Sequence, residues 1–241
     1  MAVELAAAGA RVAISGRDEA GLEKVAAQMG SAGVSSAGVS SAVVLPADLL
    51  QSGAAAQVAA DAARRLGGLD VVVSNAGAGW AGPMTDITPD EIDALVDLNL
   101  RAPLHLIRAA LPQLAASDHG RVIIVGSAAG RFGVSREVVY SATKGGLYPL
   151  AEGLRAEVAG TGVTVSMVTP GVIDTAFYER RNKPYEPRFP RPVPATRVAD
   201  AVLRCARSGQ AEIWVPAWLA VAARIDGVVP ALYRWLARRF G

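Results

Sequence analysis

The sequence predicts a doubly wound parallel α/β sheet, and three observations carry that expectation. Six short apolar runs recur along the chain with helix-like stretches between them. The middle runs, "VVVS" and "RVIIV" among them, are continuous and β-branched, the pattern of strands covered on both faces. The 241 residues, 51% hydrophobic and 19% charged, suit a single α/β domain with a sizeable core.

The chain opens as "MAVELAAAGARVAIS". Residues 2–8 read as the back half of a crossover helix, Gly9 stops it, and the first visible strand follows at 10–15. A doubly wound sheet places a strand and a glycine-rich turn ahead of such a helix. Neither stands there, so the expected fold is one with its first strand missing. Met1 then reads as an internal methionine of a longer protein or as the start of a truncated relative. The run "SAGVSSAGVSSA" repeats "AGVSS" and reads as a surface insertion before the second strand, "AVVLPAD" at 42–48. "LDVVVSNAG" at 69–77, "GRVIIVGS" at 120–127, "GVTVSMVTPG" at 162–171 and "EIWVP" at 212–216 supply the remaining strands.

One helix start is written out in full: Thr88 caps, Pro89 takes the first turn, and Glu91 completes a capping box. Pro103 falls inside the same helical pattern. It brings no N–H to the carbonyl of Asn99, four residues earlier, and so predicts a kink that leaves Asn99 with an unclaimed carbonyl and a free side-chain amide. A purely structural kink and a functional one are both open on that evidence.

Composition removes several function classes. The single cysteine, Cys205, excludes an internal disulfide framework, suits a reducing cytoplasm, and reads as a helix filler. His105 and His119 are isolated from any ligand cluster, so no metal site is expected. The apolar start lacks the basic segment of a signal peptide, and Glu4 interrupts it. Arg224 and Asp226 divide the C-terminal apolar segment below the roughly 18 residues a spanning helix needs. Net charge is +2, but from Tyr178 onward twelve Lys/Arg face five Asp/Glu. Those basic residues are scattered among prolines without a reading motif, so no nucleic acid partner is expected.

The chemistry-bearing residues come next. "YSATK" places Tyr140 and Lys144 on one helical face, one turn apart. A phenol titrates near about pH 10, and a neighbouring ammonium stabilises its phenolate. Ser127 ends a buried strand and so stands at the carboxyl edge, where doubly wound sheets bind ligands. A hydroxyl donor, a tunable phenol and an ammonium are the parts that polarise a carbonyl and deliver a proton.

With these motifs in order, "GRD" at 16–18, "AD" at 47–48, "NAG" at 75–77, Asn99, Ser127, "YSATK" at 140–144 and "PGVIDT" at 170–175, the sequence resembles the short-chain dehydrogenase/reductases, from Ala2 to about Pro216. The resemblance implies a Rossmann-like sheet and an oxidoreductase that interconverts a carbonyl and a secondary alcohol by hydride transfer. Tyr140 would be the general acid/base, Lys144 would tune it and hold the nicotinamide ribose, Ser127 would orient the substrate, and Asn99 would hold a relay water. Asp48 and Leu49 would flank adenine, Asn75, Ala76 and Gly77 would line the cofactor groove, and Pro170, Gly171 and Thr175 would hold the carboxamide. Ser74 stands where many relatives carry asparagine. A non-catalytic or cofactor-impaired member of the same fold, acting as a binding or regulatory protein, is the alternative.

Cofactor choice turns on "ISGRD". An NAD site has an acidic residue at this strand end, whereas Ser15 and Gly16 are neutral and Arg17 can meet a 2′-phosphate, which favours NADP over NAD. The competing reading pairs Arg17 with Asp18 or Glu19. The literal G-x-G-x-x-G at Gly77, Gly79 and Gly82 is a decoy, because Pro83 and a loop follow it instead of a helix N-terminus. The expected organisation is a dinucleotide-binding and catalytic domain at 1–216, with a substrate lid at 176–195, and a basic amphipathic tail at 217–241. That tail either packs over the pocket or a partner subunit or touches a membrane surface. A lipophilic carbonyl or alcohol substrate and a homo-oligomer complete the expectations.

Overall fold

The computed structural model describes residues 1–32, 42–181, 183 and 190–228. Residues 33–41 of the "AGVSS" repeat, residues 182 and 184–189 of the expected lid, and the far end of the tail lie outside the described residues. In chain order the elements are α1 (Ala2–Ala7), β1 (Val12–Gly16), α2 (Glu19–Ala32), β2 (Ala42–Pro46), α3 (Ala54–Leu66), β3 (Val71–Ser74), α4 (Pro89–Val96), α5 (Ala102–Ala115), β4 (Arg121–Val125), α6 (Ala129–Phe132), α7 (Val138–Gly145), α8 (Leu147–Glu157), β5 (Thr164–Pro170), β6 (Ile173–Asp174), α9 (Phe177–Arg180), β7 (Val193–Pro194), α10 (Thr196–Ser208), β8 (Glu212–Val215) and α11 (Leu219–Val228).

Every strand pairing is parallel, and helices cover the strands, the α/β arrangement expected from the alternating runs. The ladders form in separate pieces. Among the described residues, β3, β4, β5 and β8 make one four-stranded sheet in that order, while β1 pairs only with β2. β1 and β3 share no ladder, and between them lies an apolar cavity of about 580 Å³ lined by residues such as Val12, Ile14, Leu45, Val58, Leu69 and Val71.

The four-stranded sheet owes its solidity to continuous apolar runs. Val122, Ile123 and Ile124 of β4 and Val168 of β5 are fully buried. One face packs on α5 and α8 through Ile107, Ala110, Leu114, Leu147 and Ala151; the other packs on α10 through Val198, Val202 and Cys205. Cys205 is thus the apolar filler its context implied, and burial pushes its thiol up.

The Thr88 capping box forms as read: the Thr88 hydroxyl accepts from Glu91 N, and the Glu91 carboxylate accepts from Thr88 N. The Thr88 N–H and the Thr88 hydroxyl both donate to the Glu91 carboxylate and hold it below its ordinary value. Between α4 and α5 the helix widens into a π-turn, Asp97–Arg101, where Ala102 N donates to Asp97 O. Pro103 sits at the start of α5, so the expected irregularity is a local widening that turns Asn99 inward, fully buried.

One feature had no sequence signal. β6 and β7, two residues each, pair Ile173 with Val193 and Asp174 with Pro194, closing the base of the loop that carries α9. The first part of the expected tail packs inward, with Leu219 and Ala223 of α11 against Trp214 and Ala128. No helix among the described residues is long and apolar enough to cross a membrane.

Candidate active site

Because the strands are parallel, their carboxyl ends share one edge, and the sequence-predicted residues follow those ends. Arg17 comes directly after β1, Asp48 and Leu49 after β2, Asn75, Ala76 and Gly77 after β3, Ser127 after β4, and Pro170 and Gly171 at the end of β5. Ala47 N donates to Gly16 O at 2.9 Å, which carries the ladder past the strand ends and sets Arg17 beside Asp48. Arg17 is exposed and forms an ion pair with neither Asp18 nor Glu19; Asp18 instead accepts from Gly21 N at the start of α2.

The inner cluster is tighter. Asn99 closes on the loop after β3: its Oδ1 accepts from Ala78 N at 2.9 Å, while its Nδ2 donates to Ala78 O at 2.9 Å and to Thr143 Oγ1 at 3.1 Å. The side-chain amide expected to be free is therefore fully engaged, because the loop reaches back across 21 residues to meet it. Gly77 leaves room at this point. A Cβ there would lie 2.9 Å from Asn99 Oδ1 and 3.2 Å from Lys144 Nζ. Bare backbone beside a buried ammonium at the ligand-binding edge suits a ribose or phosphate of a dinucleotide.

Tyr140, Lys144 and Tyr148 follow one another at helical spacing across α7 and α8, and all three are buried. Lys144 Nζ donates to Val125 O at 3.2 Å, and burial draws its ammonium down to about 8. The Tyr140 phenol is pushed up to about 12, first by burial; a hydrogen bond with Ser127 acts the other way, the Glu137 carboxylate raises the value further, and Arg181 lowers it. Lys144 faces the end of β4. Ser127 Oγ also accepts from Ala129 N at 3.2 Å.

Sequence reasoning missed several residues around this core. Tyr148 Oη donates to Ser127 O at 3.0 Å and lies 3.0 Å from Thr169 Oγ1, fixing the backbone of the serine. Its spacing of four after Lys144 was the available signal. Glu137 pairs with Arg181, a bond across 44 residues that no local pattern announces. Phe177 lies with its ring centroid 5.5 Å from that of Tyr140. Thr175, expected near a carboxamide, is exposed, and its hydroxyl accepts from Phe177 N at 3.4 Å.

Comparison with known proteins follows this geometry. The model of the family described as short chain dehydrogenase matches residues 1–186. The chain belongs to the short chain dehydrogenase family. This dehydrogenase is 31% identical over 195 residues to an uncharacterized oxidoreductase of Staphylococcus aureus, covering 81% of this chain and 79% of the relative. A metagenomic short-chain oxidoreductase solved in complex with NADP is 32% identical, with a TM-score of 0.72 and 88% of each chain covered. A short-chain dehydrogenase from Sphingobium yanoikuyae, solved in complex with NADPH, is 26% identical, with a TM-score of 0.80 over 98% of this chain and 89% of that one.

Proposed function

We propose that this dehydrogenase is an NADP-dependent oxidoreductase that interconverts a carbonyl and a secondary alcohol, with Tyr140 as the proton donor and acceptor. The observation that carries this reading is the grouping of Ser127, at the carboxyl end of β4, with the buried Tyr140 and Lys144 one turn apart on α7. NADP is supported by the NADP and NADPH complexes of the similar structures and by Arg17, an unpaired cation placed where a 2′-phosphate is recognised. Asp48 and Leu49 would flank the adenine; Asn75, Ala76, Gly77 and Lys144 would hold the inner ribose; Pro170, Gly171 and Thr175 would border the nicotinamide.

When bound, the cofactor supplies or takes the hydride. The protein's share is the proton and its placement. Ser127 Oγ and Tyr140 Oη hydrogen-bond a substrate carbonyl oxygen, and a phenol held neutral is ready to donate as negative charge develops there. Lys144, protonated below about pH 8, stabilises the phenolate left behind. Asn99 keeps the loop after β3 in register, and Tyr148 keeps Ser127 in place.

Tyr140→Phe removes only the transferable proton. NADPH oxidation with a reducible carbonyl should fall at least ~100-fold while NADPH affinity stays within about twofold. Retention of more than about a tenth of the rate, a loss under ~1.4 kcal/mol, would exclude Tyr140 as the acid.

The seam between β1 and β3 favours a second reading, a fold member whose cofactor binding is impaired. Titration with NADPH, followed by cofactor fluorescence, separates the two. Micromolar binding supports the enzyme, and no binding supports the impaired member.

A further inference from the structure

The three glycines of the "GAGWAG" decoy each lie under a side chain. Gly77 faces Asn99 and Lys144, as described, and Gly82 is covered by the Trp80 ring. Gly79 is the informative one. A Cβ on Gly79 would lie 2.6 Å from Phe177 Cζ, 3.1 Å from Phe177 Cε1 and 3.3 Å from Arg181 Cβ. The Phe177 ring thus lies on bare backbone at Gly79, with the Tyr140 ring tilted at 50° to it and the Tyr178 ring edge-on at 5.4 Å. The floor of this slot is rigid, because Asn99 grips Ala78 through both N–H and C=O.

Phe177 is also held from its own side. Thr175 Oγ1 accepts from its N–H, the β6–β7 pair closes the base of its loop, and Arg181, 6% exposed, pairs with Glu137 on the segment leading into α7. Arg181 further donates through Nε to Lys183 O at 3.1 Å and lies 4.6 Å over the Tyr178 ring. Tyr140 is only 8% exposed, and the Phe177 ring, 5.5 Å from its ring, is packed against it.

We infer that the space between Gly79 and Tyr140 is an aryl subsite, that Phe177 is its resident stand-in, and that the preferred substrates are aryl ketones or aldehydes, or the corresponding benzylic alcohols. This rests on the redox reading above and narrows it. The ring already there defines the shape: flat, apolar, set on the bare backbone of Gly79 and tilted against the phenol ring. An aryl group seated so carries its attached carbonyl toward Tyr140 Oη and Ser127 Oγ. In reduction the carbonyl carbon takes hydride from NADPH, its oxygen takes the Tyr140 proton, and the products are a benzylic alcohol and NADP⁺. Phe177 and Gly79 are specificity-determining residues; neither takes part in proton transfer.

The test uses the full chain and 4-fluoroacetophenone as a ¹⁹F NMR binding probe, with acetophenone, cyclohexyl methyl ketone and pyruvate as competitors. Acetophenone should displace the probe at a concentration at least ~fivefold lower than the non-planar cyclohexyl ketone, and pyruvate should not displace it. Phe177→Ala removes the competing ring and should tighten probe binding about fivefold. Gly79→Val should abolish probe binding in the wild-type and Phe177→Ala backgrounds alike, and Phe177→Leu covers the case in which the valine variant does not fold, by weakening the hold of the resident ring and tightening the probe about twofold. Equal displacement by the two ketones, or probe binding indifferent to Phe177, overturns the subsite. NADPH oxidation is read in parallel. Probe binding that responds to Gly79 and Phe177 without turnover keeps the subsite and ends the redox reading; ketone reduction indifferent to both residues does the reverse.

Discussion

β1–β2 and β4–β5 are both parallel ladders of five residue pairs, built from equally apolar sequence, yet they are in different physical states. Of the ten residues in β1 and β2, only Leu45 is buried; in β4 and β5, every residue except Arg121 and Thr164 is. The difference comes from what lies alongside. β4 and β5 have strands on both flanks and helices on both faces, so each side chain meets close-packed neighbours. β1 has one flanking strand and a cavity at its other edge, where its backbone groups meet no ladder. The proposed chemistry sits on the closed side, and the proposed adenine end sits on the open side. Strand propensity makes a strand, and neighbours on both edges make it rigid.

Core truncation is the first way to sharpen that contrast. Ile123→Ala, in the centre of β4, should cost about 2–5 kcal/mol, because a fully buried side chain leaves a cavity in dense packing. Ile14→Ala, in β1, should cost less than about 1.5 kcal/mol, since a cavity already borders that residue and fewer contacts are lost. Urea denaturation of both variants checks the pair, and equal losses would remove the distinction.

The next effect is on rate. Lys144 is drawn down to about 8 by burial, so its charge is present below that pH and lost as pH rises through it. Carbonyl reduction should therefore hold steady at lower pH and fall about tenfold per unit well above pH 8, read as kcat/KM against pH. In Lys144→Arg the guanidinium stays charged, so the fall at pH 8 should vanish even if the overall rate is lower.

A smaller effect belongs to the open half. Arg17→Glu replaces the cation offered to a 2′-phosphate with a carboxylate suited to free ribose hydroxyls. Preference should move from NADP toward NAD by about 1.5–3 kcal/mol, measured as the ratio of the two Kd values. Equal weakening for both cofactors would make Arg17 structural.

The legibility of the sequence divides along similar lines. Strands and the Thr88 helix start were readable because their signals are local: β-branched runs, and a cap with its partner three residues on. Tyr140, Lys144 and Ser127 were readable because helical spacing and a strand end fix their places. Asn99 falls in the irregular turn that Pro103 announces, but its side-chain amide reads as free, since its partner Ala78 comes from a loop 21 residues away. Glu137–Arg181 and the two-residue β6–β7 pair left no periodic trace, and both are made by loop closure rather than by propensity.

Hydrogen exchange of the free chain, repeated with saturating NADPH, tests most directly the claim that a closed catalytic half is joined to an open-edged cofactor half. Amides of β4 and β5 should fall in the slowest class, while those of β1 and β2 exchange at least ~tenfold faster. NADPH should then slow exchange at residues 12–17 and 75–77 and over the α7 helix, narrowing the gap. Uniform slow exchange of β1, β2, β4 and β5 in the free chain, with NADPH protecting neither region, would contradict it.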